Sequence, residues 1–143
     1  MKLIAKFLSV SVLTLVLLAG LSGCLAAQKA GLTDQQVASV TENILKALDQ
    51  NNYPAFTHDF SPQMKSVFTQ EKFSQLRTMI SGASGAFIYM DAASISNNQG
   101  YAVYRFPCKY DNETVTVTVT FVIGGQEVEG LFFDSANLRK VSQ

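Results

Sequence analysis

The sequence predicts an α+β domain in which helices come first and a four-stranded antiparallel sheet follows. Between residues 33 and 80, apolar side chains recur at the three- and four-residue spacing of amphipathic helices. From residue 86 onward the period changes to two, and segments rich in β-branched and aromatic residues alternate with turn sequences. Because the two patterns occupy separate parts of the chain, they indicate α+β and not alternating α/β architecture.

The helices have recognisable start signals. Thr33 and Gln36 form a capping box that opens a predicted helix over residues 33–51. Ser61-Pro62 is a cap followed by proline at the first helical position, which predicts a second start. Another helix is predicted from Thr69 to the Gly-Ala-Ser-Gly stretch that begins at residue 82.

Turn sequences separate four predicted strands, over residues 86–96, 101–110, 113–123 and 127–133. Two-residue turns at Asp111-Asn112 and Gly124-Gly125 would place Cys108 opposite Val115 and Phe121 opposite Val128. Both registers select the same apolar side, which we interpret as the face under the helices.

The opposite, outer face is mixed. In this register Phe132 points inward, and five apolar residues point outward: Tyr101, Val103, Val122, Leu131 and Phe133. Such a patch is typical of a surface for a partner protein or a second copy of the chain. The alternative is that residues 134–143 fold back and cover it.

The segment Asn52-Tyr53-Pro54-Ala55-Phe56-Thr57-His58-Asp59-Phe60, with Glu71-Lys72-Phe73 and Gly130-Leu131-Phe132-Phe133 further on, carries a family resemblance. It resembles a domain family of unknown function found in prokaryotic lipoproteins and secreted proteins. That family is assigned to the cystatin-like, nuclear-transport-factor-2-like cone. The resemblance, over residues 33–133, implies N-terminal helices packed on a β-meander. It implies no catalytic residue, because the superfamily hosts enzymes, binding modules and dimerisation domains.

The N-terminus has the layout of a signal peptide, with two lysines, an apolar stretch over residues 7–18 and small residues after it. Leu21-Ser22-Gly23-Cys24 resembles the bacterial lipobox at every position. The resemblance implies cleavage after Gly23, a diacylglyceryl thioether on Cys24 and a further acyl chain such as palmitate. Residues 1–23 would be removed, 24–32 would form a lipidated tether and 33–143 the domain. The alternative is an uncleaved anchor helix.

The expected location is therefore the cell membrane, outside the cytoplasm, with inner and outer membrane left open. Without Lys2 and Lys6, nine of the eleven basic residues remain against eleven acidic ones. No basic run is present, so no nucleic-acid partner is expected. With Cys24 acylated, Cys108 has no partner for an intramolecular disulfide and is expected to be a buried hydrophobe.

Catalytic and metal-binding signals are sparse. His58 is the single histidine of the chain, so a nucleophile–histidine pair would have to use it, and the alternative is a solvated loop residue. No metal site and no cofactor is expected. Extending the register through the Asn97–Gly100 turn pairs Asp91 with Phe106, on the inner face near Tyr104. The resemblance implies that an acid and a tyrosine inside the cone can transfer protons, as in ketosteroid isomerases. A bulge or early strand end would instead turn Asp91 to solvent.

These observations favour a lipid-anchored accessory protein of the cell envelope that works as a non-enzymatic binding or dimerisation module. The membrane, through lipid on Cys24, and a homodimer or envelope protein are the expected partners. The alternative is a small enzyme with acid–base chemistry at Asp91 and Tyr104.

Overall fold

The computed structural model describes residues 26–142, so the predicted signal peptide, Gly23 and Cys24 lie outside the described residues. The helices are α1 (Asp34–Asp49), α2 (Tyr53–Phe56), α3 (Pro62–Val67), α4 (Gln70–Ala83) and α5 (Ala136–Val141). The strands are β1 (Phe87–Met90), β2 (Ser94–Asn98), β3 (Tyr101–Tyr110), β4 (Thr114–Val122) and β5 (Val128–Asp134). The predicted α+β order, helices before an antiparallel sheet, is confirmed.

The sheet has five strands and not the predicted four, because the segment expected to form the first strand is divided. β4 and then β5 lie on one side of β3, and β1 and β2 share its other side. Met90 lies opposite Cys108 and Ser94 lies opposite Arg105. The three residues 91–93 of the edge therefore face only two residues of β3, 106 and 107. Pro107 O accepts from Asp91 N. The N–H that proline lacks would point to this same edge, so the ladder is interrupted there.

The β3–β4 register agrees with the prediction, with Cys108 opposite Val115 and Tyr104 opposite Val119. Alternate residues of both strands are buried beneath the helices. The inner face contributes a continuous core with side chains of α1, α2 and α4, including Ile44, Phe56, Phe73, Tyr104, Phe106, Tyr110, Val117 and Phe121. The core therefore lies between the helical layer and one face of the sheet.

The predicted register of β5 is wrong beyond its first residue. Phe121 lies opposite Val128 as predicted, but the register then shifts and Gly130 lies opposite Thr120. The extra residue is Glu129, whose carboxylate accepts a hydrogen bond from Ser61 Oγ at 2.9 Å. A one-residue shift exchanges the two faces of a strand.

The consequence is an exchange within the predicted outer patch. Phe133 is 8 % exposed and packs in the core, whereas Phe132 is 63 % exposed. Leu131 is half-buried against the core. Leu131 and Phe133 therefore leave the outer patch, and Phe132 becomes a surface residue.

The β2–β3 turn is tighter than predicted. Asn98 lies opposite Tyr101, so the loop consists of Gln99 and Gly100 alone. Both have positive φ, 48° and 87°, as a type I′ turn requires. The register is therefore shifted by two residues, and Ile95 instead of Ala93 lies opposite Tyr104. The predicted pairing of Asp91 with Phe106 does not occur.

The C-terminal residues form α5, which the sequence pattern did not predict. Ser135 caps the helix by accepting from Leu138 N, and Leu138 is buried. Asn137 Nδ2 donates to Ala83 O at the end of α4. The helix thus packs beside α4 and does not cover Tyr101 and Val122 on the outer face.

The segment before α1 is docked on the domain, and we call residues 28–31 the N-terminal strap. Gln28 N donates to Asn97 Oδ1 at 2.7 Å, and Asn97 Nδ2 donates to Gln28 O at 2.6 Å. Gly31 N donates to Gly125 O, and Lys29 O accepts from Gly124 N. Residues 28–31 of the predicted tether are thus bonded to the domain.

Candidate functional site: a cleft beside helix α1

A cleft of about 290 Å³ lies between the first half of α1 and the break between β1 and β2. It exists because Pro107 interrupts the ladder, so residues 91–93 leave the sheet edge instead of completing it. Its walls are apolar except for two carboxylates and a tyrosine: Asp34, Ala38, Met90, Asp91, Ala92, Ala93, Ile95, Tyr104 and Phe106. We call this site the cleft.

The two carboxylates of the cleft differ in their partners. Asp34 accepts from Lys29 Nζ at 2.6 Å, and this hydrogen bond raises the pKa of Lys29. Burial opposes the increase, and the charge of Asp34 adds a smaller upward contribution. Asp91 is exposed, and within residues 26–142 no basic side chain forms an ion pair with it. The negative charge of Asp91 is therefore available to a ligand.

Tyr104 forms the inner wall and is 1 % exposed. Its hydroxyl accepts a hydrogen bond from Ala30 N at 3.1 Å, and its ring packs edge-on against Phe121. Asp91 and Tyr104, predicted together from a different register, do line the same cleft. The tyrosine hydroxyl, however, already accepts a hydrogen bond from the N-terminal strap.

Cys108 and Tyr110 lie deeper on the inner face and are both buried. Burial raises the pKa of the Cys108 thiol to about 12, with a smaller contribution from the charge of Asp91, and a backbone contact to Val117 opposes it. The thiol donates to Phe106 O. A protonated, buried thiol is a poor nucleophile, so Cys108 behaves as the expected small hydrophobe.

His58 lies outside the cleft, on a separate polar depression of about 400 Å³ beside α1. Its Nδ1 is 2.9 Å from Asp59 Oδ1, and its side chain is 79 % exposed. The nearby hydroxyl of Ser61 donates to Glu129 and caps α3, so it is not paired with the imidazole. Among residues 26–142, no serine, threonine or cysteine side chain is hydrogen-bonded to the imidazole of His58.

The outer face of the sheet keeps part of the predicted patch. Tyr101 lies opposite Val122, and they are 41 % and 44 % exposed. Val103 is only 7 % exposed. Arg105 Nη1 donates to Ser96, the cross-strand partner of Val103, so the arginine side chain passes beside the valine.

Sequence reasoning missed an apolar strip formed by Met79 of α4, Phe132 of β5 and Val141 of α5. Val141 is 60 % exposed, and Met79 lines both a groove of about 570 Å³ between α4 and α5 and a smaller one beside Phe132. Neither α5 nor the β5 bulge has a period-two or long helical signal, which is why the pattern did not reveal the strip. We call these three residues the apolar strip.

Residues 26–142 contain no group of three or more histidine, cysteine or acidic residues arranged to hold a metal ion. No helix within them combines the length and apolar character needed to cross a bilayer.

A family model described as "Protein of unknown function (DUF3887)" matches residues 41–130, well over half of the chain. The chain belongs to this family. The matched segment begins inside α1 and ends inside β5, so it includes most of the cleft but neither the N-terminal strap nor α5. No curated protein is similar enough to the chain to be matched.

Proposed function

We propose that this family member is a lipid-anchored accessory protein of the cell envelope that binds a small ligand in the cleft without chemical conversion. The lipobox-like Leu21-Ser22-Gly23-Cys24 supports the anchor. Helices packed on one face of an antiparallel sheet support assignment to the cystatin-like cone. The observation that carries the proposal is the cleft itself, a preformed apolar concavity with a single unpaired carboxylate at its wall.

The side chains favour binding over catalysis. A general base must lie within hydrogen-bond reach of the proton that it abstracts, and a further group that orients it is a common signature of such a site. Here Tyr104 is buried and its hydroxyl accepts from Ala30 N, and Asp91 has no side-chain hydrogen bond within residues 26–142. The enzymatic alternative keeps one supporting observation, which is that Asp91 and Tyr104 line the same cleft.

The lining indicates the chemistry of the ligand. Ala93, Ile95 and Phe106 offer an apolar surface, which favours an alkyl or aromatic body. The unpaired carboxylate of Asp91 favours a positively charged group on the ligand. Asp34 does not compete for that group, because it is already paired with Lys29. We therefore propose a small amphiphilic amine as the ligand class.

Methyl NMR on the processed full chain tests this proposal. Benzylamine and hexylamine are titrated, with benzyl alcohol and hexanol as neutral analogues, while the Ile95, Ala93 and Met90 methyl signals are followed. We expect saturable shifts for the amines, weaker shifts for the alcohols, and loss of the difference in Asp91→Asn.

A steric variant provides the control. Ala93→Phe would fill the cleft and abolish the shifts, whereas Ala136→Phe, on exposed α5, would leave them unchanged. Equal shifts in both variants, or no saturable shifts with any probe, would refute the ligand site.

The anchor is tested separately by fractionation. We expect the wild-type protein in the membrane pellet and Cys24→Ala in the soluble fraction, with Cys108→Ala as a control that stays in the membrane. Retention of Cys24→Ala in the membrane would refute the lipid anchor while leaving the ligand site unaffected.

The apolar strip supports a second candidate function, docking of a protein partner or a second copy. Phe132, at 63 % exposed, lies on an edge strand, and aromatic residues at such positions are common interface anchors. Sedimentation of wild type and Phe132→Ser tests the dimer. A concentration-dependent dimer lost in Phe132→Ser supports self-association, and a monomer in both excludes it.

A further inference from the structure

The N-terminal strap determines where the chain leaves the domain. Residues 28–31 are held between the tips of two hairpins, by Asn97 on one side and by Gly124 and Gly125 on the other. A Cβ on Gly31 would overlap the carbonyl oxygen of Gly124, so the two backbones approach as closely as glycine allows. We call this end of the sheet, residues 97–101 and 122–127, the strap end.

The distance available between the strap and the proposed lipid is short. Four residue steps separate Cys24 from Gln28, and they span at most about 14 Å when fully extended. The Asp111-Asn112 turn lies at the opposite end of β3, a ten-residue strand, about 30 Å away at the rise of a β-strand. If Cys24 carries lipid, the strap end lies at the bilayer surface and the opposite end lies away from it.

The charge distribution along the sheet agrees with this orientation. Residues 92–104 and 114–126, which form the hairpin arms that reach the strap end, contain no charged side chain. The opposite end carries several: Lys109, Asp111, Glu113, Asp134, Arg139 and Lys140. Glu127 is the one acidic residue of the β4–β5 loop, and Lys29 is neutralised by Asp34. The strap end thus carries Glu127 as its single charged side chain, and an end with so few charges loses little hydration free energy on entering the headgroup layer.

The exposed side chains of the strap end also suit a bilayer interface. Tyr101 and Val122 form the terminal pair of the β3–β4 ladder on the outer face, each about two-fifths exposed. Asn98, Gln99 and Gln126 offer amides around them. Tyrosine is enriched at membrane–water interfaces because its ring is apolar and its hydroxyl is polar.

We propose that the strap end is a membrane-docking surface that lies on the lipid headgroups and orients the domain, with the apolar strip turned away from the bilayer. This inference rests on the proposed lipid anchor. It reaches beyond the family match, because the strap that fixes the geometry precedes residue 41.

Site-directed labelling of the lipidated full chain tests the proposal. The protein is reconstituted into vesicles of phosphatidylethanolamine and phosphatidylglycerol that contain a lipid with a nitroxide on its headgroup. Single cysteines at Asn98→Cys or Gln126→Cys report on the strap end, and Asn112→Cys is the matched control on the opposite turn. Each carries an environment-sensitive fluorophore. Cys108 is fully buried and resists the label.

We expect the nitroxide to quench most of the fluorescence at Asn98→Cys and Gln126→Cys and to leave Asn112→Cys unchanged. Equal quenching at the two ends, or quenching at Asn112→Cys alone, in vesicle-bound protein would overturn the docking surface while the anchor stands. Flotation with the vesicles decides the anchor independently, because an unlipidated Cys24→Ser variant is expected to stay at the bottom of the gradient.

Discussion

Glu113 joins three parts of the domain and is the most sharply defined stabilising side chain in it. Its Oε1 accepts from Ser84 Oγ at 2.6 Å and from Ser135 Oγ at 2.7 Å, and its Oε2 accepts from Asn137 N at 3.2 Å. The carboxylate thereby connects the β3–β4 turn to the end of α4 and the start of α5. Removing it would leave Ser84, which is fully buried, without its acceptor.

The magnitude follows from these bonds. Hydrogen bonds to a charged group contribute about 1.5–3 kcal/mol each, and the half-buried position of Glu113 favours the low end of that range. The two short bonds from Ser84 and Ser135 contribute about 1.5 kcal/mol each, so we expect Glu113→Ala to lower the free energy of unfolding by about 3 kcal/mol and Glu113→Gln by about 1–2 kcal/mol. At about 4 °C per kcal/mol for a domain of this size, Glu113→Ala would lower Tm by roughly 12 °C.

The stabilisation that Glu113 contributes depends on pH in a defined direction. Burial raises the pKa of Glu113, but the hydrogen bonds from Ser84, Ser135 and Asn137 N, with the charge of Lys140, more than offset burial and lower it below the ordinary 4.5. The stabilisation is therefore complete above about pH 4.5 and is lost as the pH falls through the lowered pKa. The difference between wild type and Glu113→Gln should shrink over that acidic interval.

Urea unfolding followed by circular dichroism measures these differences at pH 7 and in acid. Glu127→Gln is the matched control, because it removes the same charge from an exposed residue of the β4–β5 loop. A Glu113→Ala variant within about 0.5 kcal/mol of wild type, the range of ordinary surface substitutions, would refute the hydrogen-bond network.

Three further outcomes are expected. Phe133→Ala should lower the free energy of unfolding in urea by about 3–5 kcal/mol, and Phe132→Ala should lower it by less than about 0.5 kcal/mol. The reverse order would show that Phe132 and not Phe133 is buried, as in a register without the bulge. Tyr104→Phe should lower the free energy of unfolding by about 1 kcal/mol and speed hydrogen exchange of the Ala30 amide. Unchanged exchange would show that docking of the N-terminal strap does not depend on the Tyr104 hydroxyl. Native Cys108 should react with an aromatic disulfide at pH 8 roughly a thousandfold slower than free cysteine, because the thiolate is scarce at a pKa of about 12. If Cys108 in the native protein reacted as fast as it does in the urea-unfolded chain, the burial of its thiol would be contradicted.

The sequence predicted the parts of the fold that depend on local pattern. The predicted caps Thr33 and Ser61 each accept from a backbone N–H of the first helical turn, as expected for their position. The β3–β4 register followed from alternation together with a two-residue turn. Such features are specified by neighbouring residues, so a single sequence contains enough information to place them.

The error in the β5 register arose where non-local bonds decide the pairing. The bulge at Glu129 accompanies hydrogen bonds from the α2–α3 loop, where Val128 N donates to Asp59 O and Ser61 N donates to Val128 O. No local turn rule describes that contact. The exchange of Phe132 and Phe133 between faces followed from it.

The candidate site was predicted in part. Asp91 and Tyr104 were selected together, and both line the cleft, but through a broken sheet edge and not through the extended register. Pro107 was the available signal, since a missing N–H in an inner strand must interrupt one of its two ladders. The docking of residues 28–31 had no comparable signal, because this segment bonds to the two hairpins and to Tyr104 through its own backbone N–H and C=O groups, which any residue carries.

The proposed lipid anchor at Cys24 is the basis of both the proposed envelope location and the proposed orientation of the domain. Intact-mass analysis of the protein extracted from its native membrane tests it most directly. The account predicts a chain that begins at Cys24, after cleavage behind Gly23, and carries the added mass of a diacylglyceryl group and a further acyl chain. A chain that begins at Met1, or an unmodified cysteine at position 24, would contradict it.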